Sequence, residues 1–342
     1  MKKIYLTVSV ALFCLVASFS YAQVELTDDY PDTYVVQQGD TLWDISANFL
    51  TEPWLWPEIW YANDQVANPH LIYPGDVLRL VFVDGRPMLS RDTGTNGTVK
   101  LTPNIREIAD FEAIPAIDLS KIREFLAGNR LVDPAAVEGL PYMVAGDSKR
   151  VIVGGGDLLY ARGDLDDGVL VYGVYRIGEP YIDPETEEEL GLRALELAMI
   201  REEEITDDIG RYRVARSVQE MMAGDVLLPY EDELFDPVFY PSAPDSSISG
   251  VVIDVEGGVA KAGALDILAI NRGSEDGLES GHVLSLMQTG ETLRDRVQGD
   301  LITIPDYRAG LLMVFKTYPK MSYGIILESQ RDISLGDKVY NP

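Results

Sequence analysis

The chain repeats itself, and the repeat restricts its C-terminal part to small β units. Ser217 and Ser329 each lie seven residues before a glycine, Gly224 and Gly336. An aspartate follows each glycine, then an apolar strand start, and both segments, Tyr212 to Pro229 and Tyr323 to Pro342, end on a proline. Upstream, Leu170 to Gly178 resembles Val283 to Gly290. Four features in register predict a duplicated β unit. Short apolar runs with Gly and Asp between them, such as Val151–Val153, Leu158–Tyr160 and Val169–Val174, agree with strands and tight turns. The repeat also decides an ambiguous stretch. Glu188 to Glu204 is rich in helix formers, yet it aligns with Gly310 to Tyr318, whose Val, Phe and Tyr favour a strand, so a strand is expected over Gly191–Ile200.

The first 22 residues read as a secretory signal: Lys2 and Lys3, an apolar stretch from Ile4 to Phe19, then Ser20-Tyr21-Ala22 ahead of the expected cleavage point. Phe13 is too bulky for the small position that lipidation at Cys14 requires. Cys14 is the one cysteine, so the exported protein is expected to have no disulfide, thiolate metal site or cysteine nucleophile. No other run is apolar enough for a membrane span. The formal charge is −28, which disfavours nucleic acid and anionic lipid as partners. Boundaries are expected at 33–81 for a compact aromatic-rich domain, 82–113 for a linker, and 114–230 for a helical lead-in plus the first β unit. An acidic Pro/Ser linker over 231–247 and the second β unit over 248–342 complete the α+β chain. In the lead-in, helices are expected at 118–127 and from Pro134, the second capped by Asp133.

Within 33–81 the order is β-α-α-β. Tyr34-Val35-Val36 is β-rich, Gly39 allows a sharp turn, and Thr41 with Asp44 forms a capping box ahead of Leu42, Ile45 and Phe49 on one helix face. Residues 57–63 give a second helix with Pro57 in its first turn. Pro74-Gly75 turns the chain into Val77–Leu80. Four pieces carry a resemblance to the LysM family: Tyr34-x-Val36, Gly39-Asp40-Thr41-Leu42-Trp43-x-Ile45, Asn68-Pro69-x-x-Ile72 and Pro74-Gly75-Asp76-x-Leu78.

That resemblance implies a two-stranded sheet with both helices on one side, and a shallow groove for N-acetylglucosamine-containing glycans, peptidoglycan or chitin. Carried over by position, Gly39, Asp40, Thr41 and Leu42 form one wall of the groove, and Asn68, Pro69, His70, Leu71 and Ile72 the other. Structural roles compete with this reading: Leu42, Ile45 and Ile72 suit a core, and Asp40 suits a cap. Pro53-Trp54-Leu55-Trp56-Pro57 enlarges the connection between the helices, either as extra core or as an aromatic surface for sugar or protein.

No catalytic constellation emerges. His70 has no His or Cys neighbour in sequence, and His282 fills the turn position held by Asp76 and Asp225 in Gly75-Asp76-Val77-Leu78 and Gly224-Asp225-Val226-Leu227. No metal site, catalytic residue or cofactor is expected. Trp56-Pro57-Glu58-Ile59-Trp60, Asn68 to Asp76 and Gly336-Asp337-Lys338-Val339-Tyr340 make the whole chain resemble the TsaP-type secretin-associated proteins, whose C-terminal region is related to that of flagellar FlgT. The resemblance implies a periplasmic peptidoglycan-binding adaptor that anchors an outer-membrane secretin, or a similar envelope ring, of type IV pili. The alternative is a LysM-targeted wall hydrolase or hydrolase activator.

Overall fold

The computed structural model describes residues 24–60, 72–91, 115–117, 122, 125–126, 128–149, 152–166, 168–230, 239–258, 260–290 and 292–342. Among them no helix is long and apolar enough to cross a membrane. The N-terminal domain runs β1 (Thr33–Val35), α1 (Leu42–Ala47), a 3-10 turn (Pro53–Leu55), α2 (Trp56–Trp60), β2 (Val77–Val83) and β3 (Arg86–Arg91). Strand β2 is antiparallel to β1, with Leu78 opposite Tyr34. The expected two-stranded sheet has a third strand, and 82–91 is not linker. Asp84 and Gly85 both take positive φ, 50° and 81°. That is the primed turn whose twist suits a two-residue hairpin, and it folds β3 back on β2 from Val83/Arg86 to Leu78/Arg91.

The first β unit begins with β4 (Asn129–Val132) and the one-turn helix α3 (Pro134–Val137). Asp133 caps α3 as expected, accepting from the Ala135 N–H at 2.8 Å. Six strands follow: β5 (Tyr142–Gly146), β6 (Leu158–Arg162), β7 (Val171–Ile182), β8 (Glu189–Thr206), β9 (Ile209–Ser217) and β10 (Val226–Pro229). They pair in the ring β5-β6-β9-β8-β7-β10, and β10 closes on β5, while β4 adds to the outer part of β8. Of the expected strand at 151–153, Val153 makes one isolated bridge, to Met221. The expected helix at 118–127 is helical at its described positions, Ile122, Phe125 and Leu126.

The second unit is a closed barrel of β11 (Ser249–Val255), β12 (Ile267–Ile270), β13 (Val283–Gln288), β16 (Tyr307–Thr317), β17 (Ser322–Ser329) and β18 (Lys338–Tyr340), in the order β11-β12-β17-β16-β13-β18. The short hairpin β14 (Thr292–Arg294) and β15 (Leu301–Thr303) stands outside it. The ring order repeats that of the first unit strand for strand. Partner pairs recur at a constant displacement: Tyr172/Ile200 becomes Leu284/Leu312, and Ala198/Ser217 becomes Gly310/Ser329. Even bulges recur, after Met143 and Val252 and after Val174 and Leu286. Both serines that marked the repeat donate to the carbonyl two residues on, Ser217 to Gln219 and Ser329 to Arg331. Tyr212 and Tyr323 are not equivalents, however. Tyr212 lies opposite Leu159 among the residues filling the first barrel, while Tyr323 lies opposite Ala269 and faces outward.

The Gly-Asp signature is one turn used repeatedly. In Tyr73–Asp76, Met222–Asp225 and Ser334–Asp337 the aspartate carboxylate accepts from the first residue's N–H, at 3.1, 2.6 and 2.8 Å. The third residue is a glycine at φ 95°, 95° and 83°, a region open to glycine without a Cβ penalty. His282 is the expected variant: its Nδ1 accepts from the Glu279 N–H at 3.0 Å, with Gly281 at φ 101°.

The barrels differ on the outside. Along β16, Leu312 and Val314 fill the second barrel, while Leu311, Met313 and Phe315 point out and are still buried. They belong to the core that includes Leu42, Ile45, Trp56 and Ile59 of the N-terminal domain together with Ile122 and Phe125. Each buried Leu, Met or Phe contributes about 1.5–3 kcal/mol. On the first barrel the corresponding outward positions hold Arg201, Glu203, Arg211 and Arg213, with Glu203 bridging both Arg211 and Arg213. On this face, therefore, the second barrel offers an apolar platform where the first offers charge; the first barrel's own outer apolar cluster, Tyr175, Ala194, Val226 and Leu228, lies elsewhere, against Val132 of β4.

A polar seam ties the barrels together. The Tyr323 hydroxyl donates to Tyr181 at 3.2 Å, Asn271 donates to Asp183 at 3.0 Å, and Arg193 meets Asp254 and Glu256. Burial pushes the Tyr181 hydroxyl up to about 12. The described part of the expected second linker is also fastened: Ser242 bridges His282, and Asn341 donates to the Pro244 and Ser246 carbonyls.

Candidate functional site

The first expected groove wall is a turn leading into α1. Gly39 sits exposed at φ 96°, and the Gln37 N–H donates to the Asp40 carboxylate at 2.7 Å. The Tyr34 hydroxyl donates to the same carboxylate at 3.0 Å. Burial raises the Tyr34 pKa, and the nearby Asp40 charge adds to the effect. Asp40 thus spends its side chain on the turn. Thr41 is buried and forms the expected box: its hydroxyl accepts from the Asp44 N–H at 3.1 Å, while the Asp44 carboxylate accepts from the Thr41 N–H at 3.1 Å. Leu42 is fully buried in the core. What this wall shows to solvent is mainly the backbone around Gly39.

The second wall is described only from Ile72, which is buried beside Leu42 and Ile45. Asn68, Pro69, His70 and Leu71 lie outside the described residues. The turn that follows is brought against the first wall through β1. The Val36 N–H donates to the Asp76 carbonyl at 2.9 Å, and the Gly75 N–H to the Val36 carbonyl at 2.8 Å. The Gln37–Asp40 and Tyr73–Asp76 turns therefore flank one residue, Val36, and lie at the same end of the domain.

Two contacts had no counterpart in the sequence reading. The Leu42 and Trp43 N–H groups at the start of α1 donate to the Pro115 and Ala116 carbonyls at 3.0 and 3.1 Å. Residues 115–117 thus return to the N-terminal domain and complete its helix end, with Ala116 and Ile117 buried. Glu52, just before the tryptophan insert, takes a bidentate ion pair from Arg308 of β16 at 2.6 and 2.8 Å. The Arg308 hydrogen bonds hold the Glu52 carboxyl below its ordinary range, against the opposing effect of burial. The insert itself is interior: Trp54, Trp56 and Trp60 are all buried, and the Trp56 ring meets Tyr240 at 5.9 Å. The enlarged connection is core that joins this domain to the second barrel.

Residues 34–81 match the family model of the LysM domain. They are a LysM domain. Such a domain is a carbohydrate-binding module and not a catalytic one. The chain is 35% identical over 60 residues to YqbP of Bacillus subtilis (strain 168), described as an uncharacterized protein. That stretch covers 15% of this chain and 27% of YqbP, so it says nothing of either whole protein. Among the described residues no group of three His, Cys, Asp or Glu is placed to hold a metal ion.

Proposed function

We propose that this chain is an exported periplasmic adaptor that binds peptidoglycan through its LysM domain and anchors an outer-membrane secretin complex of type IV pili through its barrels. The observation that carries the reading is the attachment of the LysM domain to the second barrel by the Glu52–Arg308 pair and a shared apolar core. A tethered module lets its cargo wander; a docked one holds a wall-bound protein at a set orientation, which suits an anchor. The resemblance of the whole chain to secretin-associated proteins and its signal-like N-terminus support the location and the partner.

Pull-down with purified sacculi tests the glycan half. Full-length protein is expected to sediment with sacculi and to be released by soluble peptidoglycan fragments. Retention by a variant lacking residues 33–81 would overturn it. Photocrosslinkers on the outer face of the first barrel test the partner half in cells. A secretin is the expected product, and wall hydrolases alone would contradict the anchor.

A further inference from the structure

The two barrels carry equivalent arms with different fates. In the first unit the β7–β8 hairpin runs past the barrel and turns over Asp183–Glu188; in the second, the β14–β15 hairpin does so over Asp295–Asp300. The turns match bond for bond. The Asp183 N–H donates to Glu188 O at 2.9 Å, as Asp295 does to Asp300 O at 2.7 Å. The Glu187 N–H donates to Asp183 O at 2.9 Å, as Gly299 does to Asp295 O at 2.9 Å. The Asp183 carboxylate accepts from Glu185, as that of Asp295 does from Val297.

The first arm is docked. Tyr181 is buried against the second barrel, Leu190 packs on the same core, Asp183 holds Asn271, and Glu188 pairs with Lys320. At the same displacement the second arm has Leu293 and Ile302, which are 43% and 49% exposed, and Val297 at its tip is 92% exposed. An isolated two-stranded hairpin with apolar residues in water is marginal by itself.

The face that receives the first arm also has an equivalent. On the first barrel, Asp207 and Asp208 stand where Lys320 stands on the second, and Val144 and Ile209 are exposed. A shallow open cavity of about 320 Å³ lies there between Tyr160, Glu204, Asp207, Ile209 and Arg211. The charges are exchanged. The first arm is acidic and meets Lys320 and Arg272; the second carries Arg294 and Arg296, and the equivalent rim carries Asp164, Glu204, Asp207 and Asp208 around Arg162 and Arg211, with carboxylates in excess. Asp208 is held by Arg162 at 2.7 Å, while among the described residues no carboxylate pairs with Arg294 or Arg296, and no cation pairs with Asp164 or Asp207 on that rim.

We infer that the β14–β15 arm docks on the outer end of the first barrel of a second copy of this chain, repeating between molecules the contact made within one. The contact is heterologous, so it propagates head to tail and closes as a ring or grows as a filament. Apolar burial of Leu293 and Ile302 supplies attraction, and the arginine–carboxylate match offsets the repulsion between two acidic molecules.

The test uses the exported form from Gln23 onward, which carries no cysteine. Light scattering should show mass rising with concentration, and Arg294→Glu with Arg296→Glu should lower association at least tenfold. Adding Asp207→Arg and Asp208→Arg should restore it. For geometry, Val297→Cys and Ile209→Cys proteins should crosslink when mixed and not when alone. A monomer at every concentration would overturn the inference. So would self-crosslinking of Val297→Cys protein alone, which would indicate a symmetric arm-to-arm contact.

Discussion

Removing the Glu52–Arg308 pair should loosen the LysM domain from the barrel by a measurable and pairwise amount. The two charge-assisted bonds are 2.6 and 2.8 Å long, and both side chains are 32% exposed. Shielded hydrogen bonds to charged groups contribute about 1.5–3 kcal/mol, and solvent-exposed ion pairs about 0.2–1. Partial exposure places the coupling between these ranges, at about 1.5 kcal/mol. A double-mutant cycle of Glu52→Ala and Arg308→Ala isolates it. All four tryptophans, Trp43, Trp54, Trp56 and Trp60, lie in the LysM domain. Urea unfolding followed by tryptophan fluorescence therefore reports this domain, while far-UV circular dichroism is dominated by the barrels. In the wild type the two transitions should coincide; in either single variant the fluorescence transition should move to lower urea. Coupling below about 0.3 kcal/mol, or fluorescence and dichroism transitions already separate in the wild type, would refute a docked domain. The pH dependence has a fixed sign. The folded Glu52 pKa is lowered, so its contribution is complete above the ordinary carboxylate value and is lost as pH falls through the lowered one.

Phe125 sits edge-on to Phe315 at 5.8 Å and to Tyr323 at 4.7 Å. Phe125→Ala should cost about 3–5 kcal/mol in the same urea assay, and a loss under 1 kcal/mol would mean the helix does not bridge domain and barrel. His282→Asp restores the acceptor used in the other Gly-Asp turns and should change stability by less than about 0.5 kcal/mol. His282→Ala removes that acceptor and should cost about 1 kcal/mol. Burial lowers the His282 pKa, so its neutral turn form is stable above the ordinary histidine value and weakens as pH falls below it. The Asp variant should lack that dependence, measured by thermal melting across this range.

Local chemistry was legible where a residue's role depends on its near neighbours. The Thr41–Asp44 box, the Asp133 cap and the Gly-Asp turns follow from short-range hydrogen bonds. The duplication carried more: it identified β8 as a strand, although its Glu, Leu and Ala content favours a helix, because barrel pairing outweighs per-residue propensity. The β2–β3 hairpin had a signal in Asp84-Gly85 that the expected domain end at residue 81 passed over. Docking was harder to read. Glu52 and Arg308 are far apart in sequence, and no local pattern links them. One sign was present in Leu311-Leu312-Met313-Val314-Phe315, an unbroken apolar run of the kind found in strands buried on both faces. In the first barrel the equivalent stretch ends in Arg201-Glu202-Glu203, and Arg201 and Glu203 are exposed on its outer side. The first expected groove wall was legible as a turn, but Asp40, Thr41 and Leu42 serve the fold, so among these expected residues it is mainly the backbone at Gly39 that stays exposed.

The most direct test is an NMR titration of the full-length protein with soluble peptidoglycan fragments. Amide signals of Gln38 to Thr41 and of Tyr73 to Gly75 should shift together and saturate, with those of Leu42 and Trp43 moving less because Pro115 and Ala116 already hold them. Unmoved signals at both turns, or shifts confined to the barrels, would contradict glycan binding at this end of the LysM domain.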